Sequence, residues 1–212
     1  IRRPPRSTLD RSSAASDVYK RQKNGMTENF SKVGTLIFVV GPSGSGKDTL
    51  INGAKDLVRK EKFTFITREI TRSADAGGEN HIEITRRDFD RKVKAGEYAL
   101  HWQANGHCYG INKELNQLLS AGKNIVLNGS RAAVSTAREV YPQLQIVQIN
   151  VPVEILRNRL KERKRETEQE IKSRLSRATE WRLEEEGLHH FTNDQPIELS
   201  LKSFVSLLNR IS

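Results

Sequence analysis

Residues 35–49 read TLIFVVGPSGSGKDT, an apolar run that passes directly into a glycine-rich stretch. Leu36 to Val40 carries no polar residue, the pattern of a strand buried on both faces as in a parallel sheet. Gly41 and the pair Gly46-Lys47 have the G-x-x-x-x-G-K spacing of a phosphate-binding loop. Glycines let successive backbone N–H groups turn inward toward phosphate oxygens. A helix beginning near Asp48 adds the positive end of its dipole, and Lys47 reaches toward the terminal phosphates. Gly41, Pro42, Ser43, Gly44, Ser45, Gly46, Lys47, Asp48 and Thr49 are therefore the candidate phosphate cradle. One letter departs from the motif: Asp48 stands where Ser or Thr ordinarily holds Mg²⁺.

Outward from this unit, strand-like and helix-like segments alternate. Thr49–Lys60 carries Leu50, Ala54, Leu57 and Val58 on one helical face, and Phe63–Ile66 reads as a short strand. Arg86–Lys94 reads as a helix, Tyr98–Trp102 as a strand, and Lys113–Ser120 as a helix stopped by Gly122. Then follow a strand at Asn124–Leu127, a helix at Ala132–Val140, a strand at Gln145–Val151 and a helix to about Lys161. A long charged helix at Glu168–Glu186 ends at Gly187, before a strand at Leu188–Phe191 and a terminal helix at Ile197–Leu208. Such alternation around a phosphate loop implies an α/β fold of the P-loop nucleoside-triphosphate-hydrolase type. Its mostly parallel sheet is covered by helices on both faces. The domain is expected to span 33–211. Residues 62–110 break the alternation and are expected to form a small inserted lobe facing the loop.

The chain has 212 residues, 35% of them apolar and 29% charged, enough for one domain with a real core. No apolar run approaches the roughly 20 residues of a membrane span. The single Cys108 excludes an internal disulfide and fits a reducing, cytoplasmic compartment. The net charge of +10 invites a nucleic-acid reading. Half of it, however, lies in residues 1–25, where seven Lys/Arg face only Asp10 and Asp17. That segment has no helix or strand periodicity and no starting Met, and Ser12 to Gln22 resembles translated sequencing-adapter read-through. It is expected to be a disordered or adventitious extension, and neither nucleic acid nor membrane is expected as a partner.

Five strings carry a resemblance: GPSGSGKDTL (41–50), ITRSADAGGENH (70–81), LHWQANGHCYG (100–110), VLNGSR (126–131) and RKRETEQEIKSRLSRA (163–178). Over about residues 35–210 the chain resembles the guanylate-kinase-like branch of P-loop kinases. Within that branch it is most similar to the ribose 1,5-bisphosphate phosphokinases of phosphonate breakdown. The resemblance implies ATP and Mg²⁺ as cofactors. It also implies transfer of the γ-phosphoryl group to the 1-phosphate of ribose 1,5-bisphosphate, giving 5-phosphoribosyl 1-diphosphate and ADP. A nucleoside-monophosphate kinase, or a non-catalytic binding module of the same fold, is the alternative. The chemistry agrees in kind, because transfer between two polyanions needs cations and positioning more than a covalent nucleophile. The acceptor is itself an ionised phosphate, so no strong base is required.

The resemblance also implies roles for residues outside the loop. Arg72 falls where this branch holds the acceptor phosphate, with Arg68 four residues earlier; the plain alternative for each is a solvated arginine. Glu79, Asn80 and His81 end a Gly77-Gly78 loop, where short polar groups suit sugar hydroxyls or phosphate, or ordinary turn chemistry. Tyr109 resembles a phosphate contact of the lobe, or packs in its core. Asn128, Ser130 and Arg131 follow a strand at its ligand-binding end, although Ser130 also suits a helix cap. Arg163 and Arg174 bracket a lid-like stretch at about 159–174 and, with Lys47, are the candidate catalytic cations; Arg159 and Arg165 are weaker candidates, and a solvated charge run is the alternative. Asn193-Asp194 is placed near the adenine by resemblance. Two departures argue against a GMP acceptor: Asp75 replaces an expected arginine, and His101 stands where guanylate kinases carry a base-reading glutamate. The strand ending at Asn128 also lacks its usual acid, so Asp48 is read as a Mg²⁺ ligand that took over that task, against a plain helix-capping role.

Overall fold

The computed structural model describes residues 33–74, 80–162, 167–180 and 187–212. The expected Glu79, Asp75, Arg163 and Arg165, and the extension 1–25, lie outside the described residues. Five strands, β1 (Leu36–Val40), β2 (Phe63–Ile66), β7 (Asn124–Asn128), β8 (Gln145–Asn150) and β9 (Leu188–Thr192), form one parallel sheet in the order β2-β7-β1-β8-β9. The parallel α/β class read from the sequence is the observed one. β1 is central and both its faces are buried. Leu36, Phe38 and Val40 pack in one core with Ile125, Leu127 and Ile146; Ile37 and Val39 pack in another with Leu50, Ala54 and Phe204. Strand alternation divides one apolar run between two cores, which is why it shows no polar residue. The second core is closed by helices α1 (Lys47–Ala54) and α7 (Ile197–Ile211), and the first by α3 (Glu114–Ser120) and α4 (Val134–Val140).

The second sheet joins β3 (Glu69–Ile70), β4 (Ile82–Glu83), β5 (Tyr98–Ala104) and β6 (His107–Asn112) in the order β4-β3-β6-β5, with α2 (Arg86–Lys94) on its outer face. The insertion therefore starts later than expected: Phe63–Ile66 pairs with β7 in the main sheet, and the lobe spans Glu69 to Asn112. β6 and the two short strands are absent from the sequence reading. The signal for β6 was present, since Asn105-Gly106 between two strand-like runs is a strong hairpin signature, and both residues have positive φ, 49° and 78°.

Other boundaries move as well. α1 ends at Ala54 rather than Lys60. Beyond it Leu57 and Val58 donate to Ala54 in a tight turn that buries Val58 and leaves Leu57 outside. A short 3₁₀ turn at Arg131–Ala133 precedes α4. α5 (Val153–Glu162) and α6 (Glu168–Glu180) pack as a helical pair through Leu156, Leu160, Ile171 and Leu175. Among the described residues no helix is long and apolar enough to cross a membrane.

Candidate active site

The phosphate loop leaves the C-terminal end of β1, between β7 and β8, at the crevice where parallel α/β sheets bind ligands. Lys47 Nζ donates to the carbonyls of Gly41 and Pro42, both at 2.9 Å, so the ammonium lies over the loop. Gly46 has φ +85°, and a Cβ there would come within 2.5 Å of Asn193 Nδ2. Glycine is needed for its left-handed backbone and for that close approach. Asn193 is buried and donates to the Ser45 carbonyl at 2.8 Å. It buttresses the loop from the end of β9, a different task from the adenine contact expected for Asn193-Asp194. Pro42 is half-buried, while Ser43 and Thr49 are exposed.

Helices α5 and α6 rest on the same loop. A Cβ on Gly44, whose φ is +89°, would meet Leu156 and Leu160 of α5 at 3.0–3.1 Å. Arg174 Nη1, on α6, donates to Ser43 Oγ at 2.8 Å across 131 residues of chain. Arg159 is better placed than the sequence ranked it. Its Nη1 is buried without a hydrogen-bond partner among the described residues and lies 3.8 Å from the Cβ position of Gly46. A buried guanidinium nitrogen beside a phosphate loop has the chemistry to take an anion.

Two of the departures, Asp48 in the loop and Asn128 at the end of its strand, meet in space. Asn128 Nδ2, at the end of β7, donates to Asp48 Oδ1 at 2.7 Å. An amide on the strand and a carboxylate on the loop thus replace an acid on the strand and a hydroxyl on the loop. Below them runs a cleft lined by Asp48, Ile51, Asn52 and Lys55 of α1, by Phe65 to Arg68 after β2, and by Asn80 and Asn128. Arg68 and Asn80 of the expected acceptor set therefore reach this cleft. Arg68 is 6% exposed, far from a solvated arginine. Its guanidinium carbon lies 5.1 Å from the Tyr109 ring centroid and 6.0 Å from that of Trp102. Those rings are opposite residues of the β5–β6 hairpin, stacked at 5.3 Å and 2°. Tyr109 is thus a buried wall that holds Arg68 through cation–π contact. Trp102, which the sequence reading left without a role, is the other wall.

Arg72 is placed by its neighbours. His107 Nδ1 donates to the Thr71 carbonyl at 3.0 Å, and the Cys108 amide to Thr71 Oγ1 at 2.8 Å. The buried His81 sits at 3.0 Å, through Nε2, from the Arg72 carbonyl and at 3.5 Å, through Nδ1, from Arg72 Nη2. A carbonyl only accepts, so Nε2 carries the proton and Nδ1 faces the guanidinium as an acceptor. His81 orients Arg72. Ser130 Oγ accepts from the Ala132 amide at 3.3 Å, which is the capping use, and Arg131 opens the turn that follows. His101 is exposed on the α2 side of β5, 6.4 Å from Phe89 and on the opposite face from Trp102. Strand alternation turns it away from Arg68, so His101 has no part in reading an acceptor in this cleft.

Beneath the lobe, Glu69 is 5% exposed. It accepts from Lys92 at 2.8 Å and Asn112 at 2.9 Å through Oε1, and from the Tyr98 hydroxyl through Oε2. Burial opposes its charge, but these three donors outweigh burial and hold the carboxyl below its ordinary range. Tyr98 is driven upward by burial and by Glu69. The network ties β3, α2, β5 and β6 together, and so fixes the strand that follows Arg68.

The model of the guanylate kinase family matches residues 33–208. The chain is 41% identical over 177 residues to the ribose 1,5-bisphosphate phosphokinase of Thiobacillus denitrificans, covering 83% of this chain and 93% of the relative. It is 44% identical over 163 residues to that of Desulfomicrobium baculatum, covering 76% and 87%. Among solved structures, the guanylate kinase of Anaplasma phagocytophilum superposes with a TM-score of 0.60 at 18% identity, covering 84% of this chain and 86% of that one; this likeness concerns the fold. With this family match, and with such identity over most of its length, the chain belongs to the guanylate kinase family and, within it, to the ribose 1,5-bisphosphate phosphokinases.

Proposed function

We propose that the protein transfers the γ-phosphoryl group of ATP to the 1-phosphate of ribose 1,5-bisphosphate, giving 5-phosphoribosyl 1-diphosphate and ADP. The observation that carries this over a nucleotide acceptor is the Asn128–Asp48 hydrogen bond. It joins the departure in the loop, Asp48, to the departure on the strand, Asn128, as one rebuilt site.

Residues 41–49 cradle the donor phosphates, and Lys47 neutralises them. The lid arginines Arg159 and Arg174, with Arg163, spread cationic charge around the transferring group. Arg68, Arg72, Asn80 and His81, with Glu79, Tyr109, Ser130 and Arg131, form the acceptor side. Ser130 Oγ–H remains able to donate while its oxygen caps the turn. The acceptor oxygen belongs to a phosphate, whose second ionisation lies near pH 6, so the side chains position and neutralise rather than remove a proton. The work divides into orientation and electrostatic stabilisation.

Mg²⁺ fits the residues present. Among the described residues no group of three His, Cys, Asp or Glu forms an all-protein metal cage. Mg²⁺ is commonly held by one or two carboxylates together with substrate phosphates and waters. Asp48 is the carboxylate that would hold it, oriented by Asn128. When bound, the ion offsets negative charge on the phosphates.

The test is product identification by ³¹P NMR and mass spectrometry from ATP and ribose 1,5-bisphosphate, with GMP and other nucleoside monophosphates in parallel. Formation of a 1-diphosphate with ADP is expected; GMP turnover well above that of the sugar bisphosphate would overturn the reading.

A further inference from the structure

We propose that Lys55, with Asn52 beside it on α1, forms a second anion subsite in the acceptor cleft. It holds the phosphate of the acceptor that does not receive the transferred group. This rests on the sugar-bisphosphate reading above and names the residues that set such an acceptor apart from a monophosphate.

Asp48, Asn52 and Lys55 line one wall of the cleft, at helical spacings that put them on one face. The helical rise sets the Cα atoms of residues 48 and 55 about 10 Å apart along the axis. The cleft is therefore polarised. Its carboxylate end abuts the phosphate loop, where transfer occurs, and its ammonium end lies two helical turns away. Arg68 stands on the facing wall. Lys55 is half-buried, and the neighbouring carboxylate, Asp56, pairs with Lys60 at 3.5 Å. The C-terminal end of a helix favours a cation by itself, but that does not require the cation to face the cleft. An anion bound in the cleft would pair with that ammonium.

The two acceptor classes make opposite demands at this end. A nucleoside monophosphate places one dianion at the transferring end and an uncharged base beyond it. A sugar bisphosphate places a dianion at each end with the ring between. A cation at the far end stabilises the second class and gives the first nothing, and specificity is that difference.

The test compares wild type, Lys55→Gln and Lys55→Arg with ribose 1,5-bisphosphate and with ribose 1-phosphate, which lacks the second phosphate. A charge-assisted contact predicts a loss of roughly 10–100-fold in kcat/KM for the bisphosphate in Lys55→Gln, mostly in KM. The loss with ribose 1-phosphate should be at least tenfold smaller, and Lys55→Arg should recover most of the bisphosphate activity. Calorimetric titration with ribose 5-phosphate should show a Kd weakened by roughly tenfold or more in Lys55→Gln, with an unchanged melting curve. Equal losses on the two acceptors, an unchanged Kd, or no binding of ribose 5-phosphate to wild type would overturn the proposal. Absence of bisphosphate turnover in wild type would refute the functional reading instead, and the titration would still decide the role of Lys55.

Discussion

The donor and acceptor halves of the proposed site are built in different ways. The donor half is one contiguous segment, residues 41–49, buttressed from afar by Asn193 and by the lid helices. The acceptor half gathers Arg68, Asn80, Trp102, Tyr109 and a face of α1 from separate segments, held by a second sheet and a buried carboxylate. Contiguous geometry is carried by local backbone chemistry. Dispersed geometry is carried by packing, and it fails when the packing fails.

The largest expected effect lies in the donor half. Lys47→Met should lower kcat/KM by roughly 10³-fold or more, because charge stabilisation at the transferring group dominates such reactions. The melting temperature should hardly move. Steady-state kinetics with a thermal scan checks this; a variant that also unfolds would break the contrast between the halves.

Next comes the acceptor half, where stability is at stake. Glu69→Ala strands Lys92 and Tyr98 beneath the lobe and should cost about 3 kcal/mol, as for a buried pair that loses one partner, or roughly 6–12 °C in Tm. The sign with pH follows from the lowered Glu69 carboxyl. The unfolded chain takes up the proton first as pH falls. The stabilisation is therefore complete well above the ordinary value of 4.5 and is lost as pH drops through the lower folded value. Wild type and variant melting curves should converge below that window; a gap independent of pH would show that Glu69 does not act through its charge.

A smaller effect is expected where the halves touch. Asn128→Ala should weaken Mg²⁺ roughly tenfold, the scale for losing a partner that orients a metal-binding group. Manganese binding in the presence of ATP, followed by electron paramagnetic resonance, reads this without turnover. An unchanged affinity would reduce the Asn128–Asp48 bond to a packing contact. Least of all, His81→Ala should raise KM for the acceptor roughly three- to tenfold through a misplaced Arg72, with KM for ATP unaltered. A parallel rise in KM for ATP would show that His81 couples the two halves.

Legibility in the sequence follows the same division. Leu36 to Lys47 declares strand, loop and helix because each residue answers to its immediate neighbours. Asp48 and Asn128 were each visible as departures, 80 residues apart, yet nothing local says that one donates to the other. Arg68 is read as an acceptor-phosphate candidate with a solvated arginine as the alternative; only the β5–β6 hairpin, which brings Trp102 and Tyr109 against it, shows that it is buried. His101 is read as a departure from the base-reading glutamate of guanylate kinases; that it faces α2 and not Arg68 follows only from its place on β5. Lys55 carries no signal of its own in the sequence, and only the end of β2 facing it across the cleft singles it out.

The sequence by itself determined the phosphate loop, the parallel α/β class and the family, since spacing and local periodicity carry that information. Only the tertiary structure decided which cations line the cleft, what orients Arg72, and that Asn128 donates to Asp48. Those depend on pairings between distant segments, which the formation of two separate sheets fixes and which no local pattern encodes.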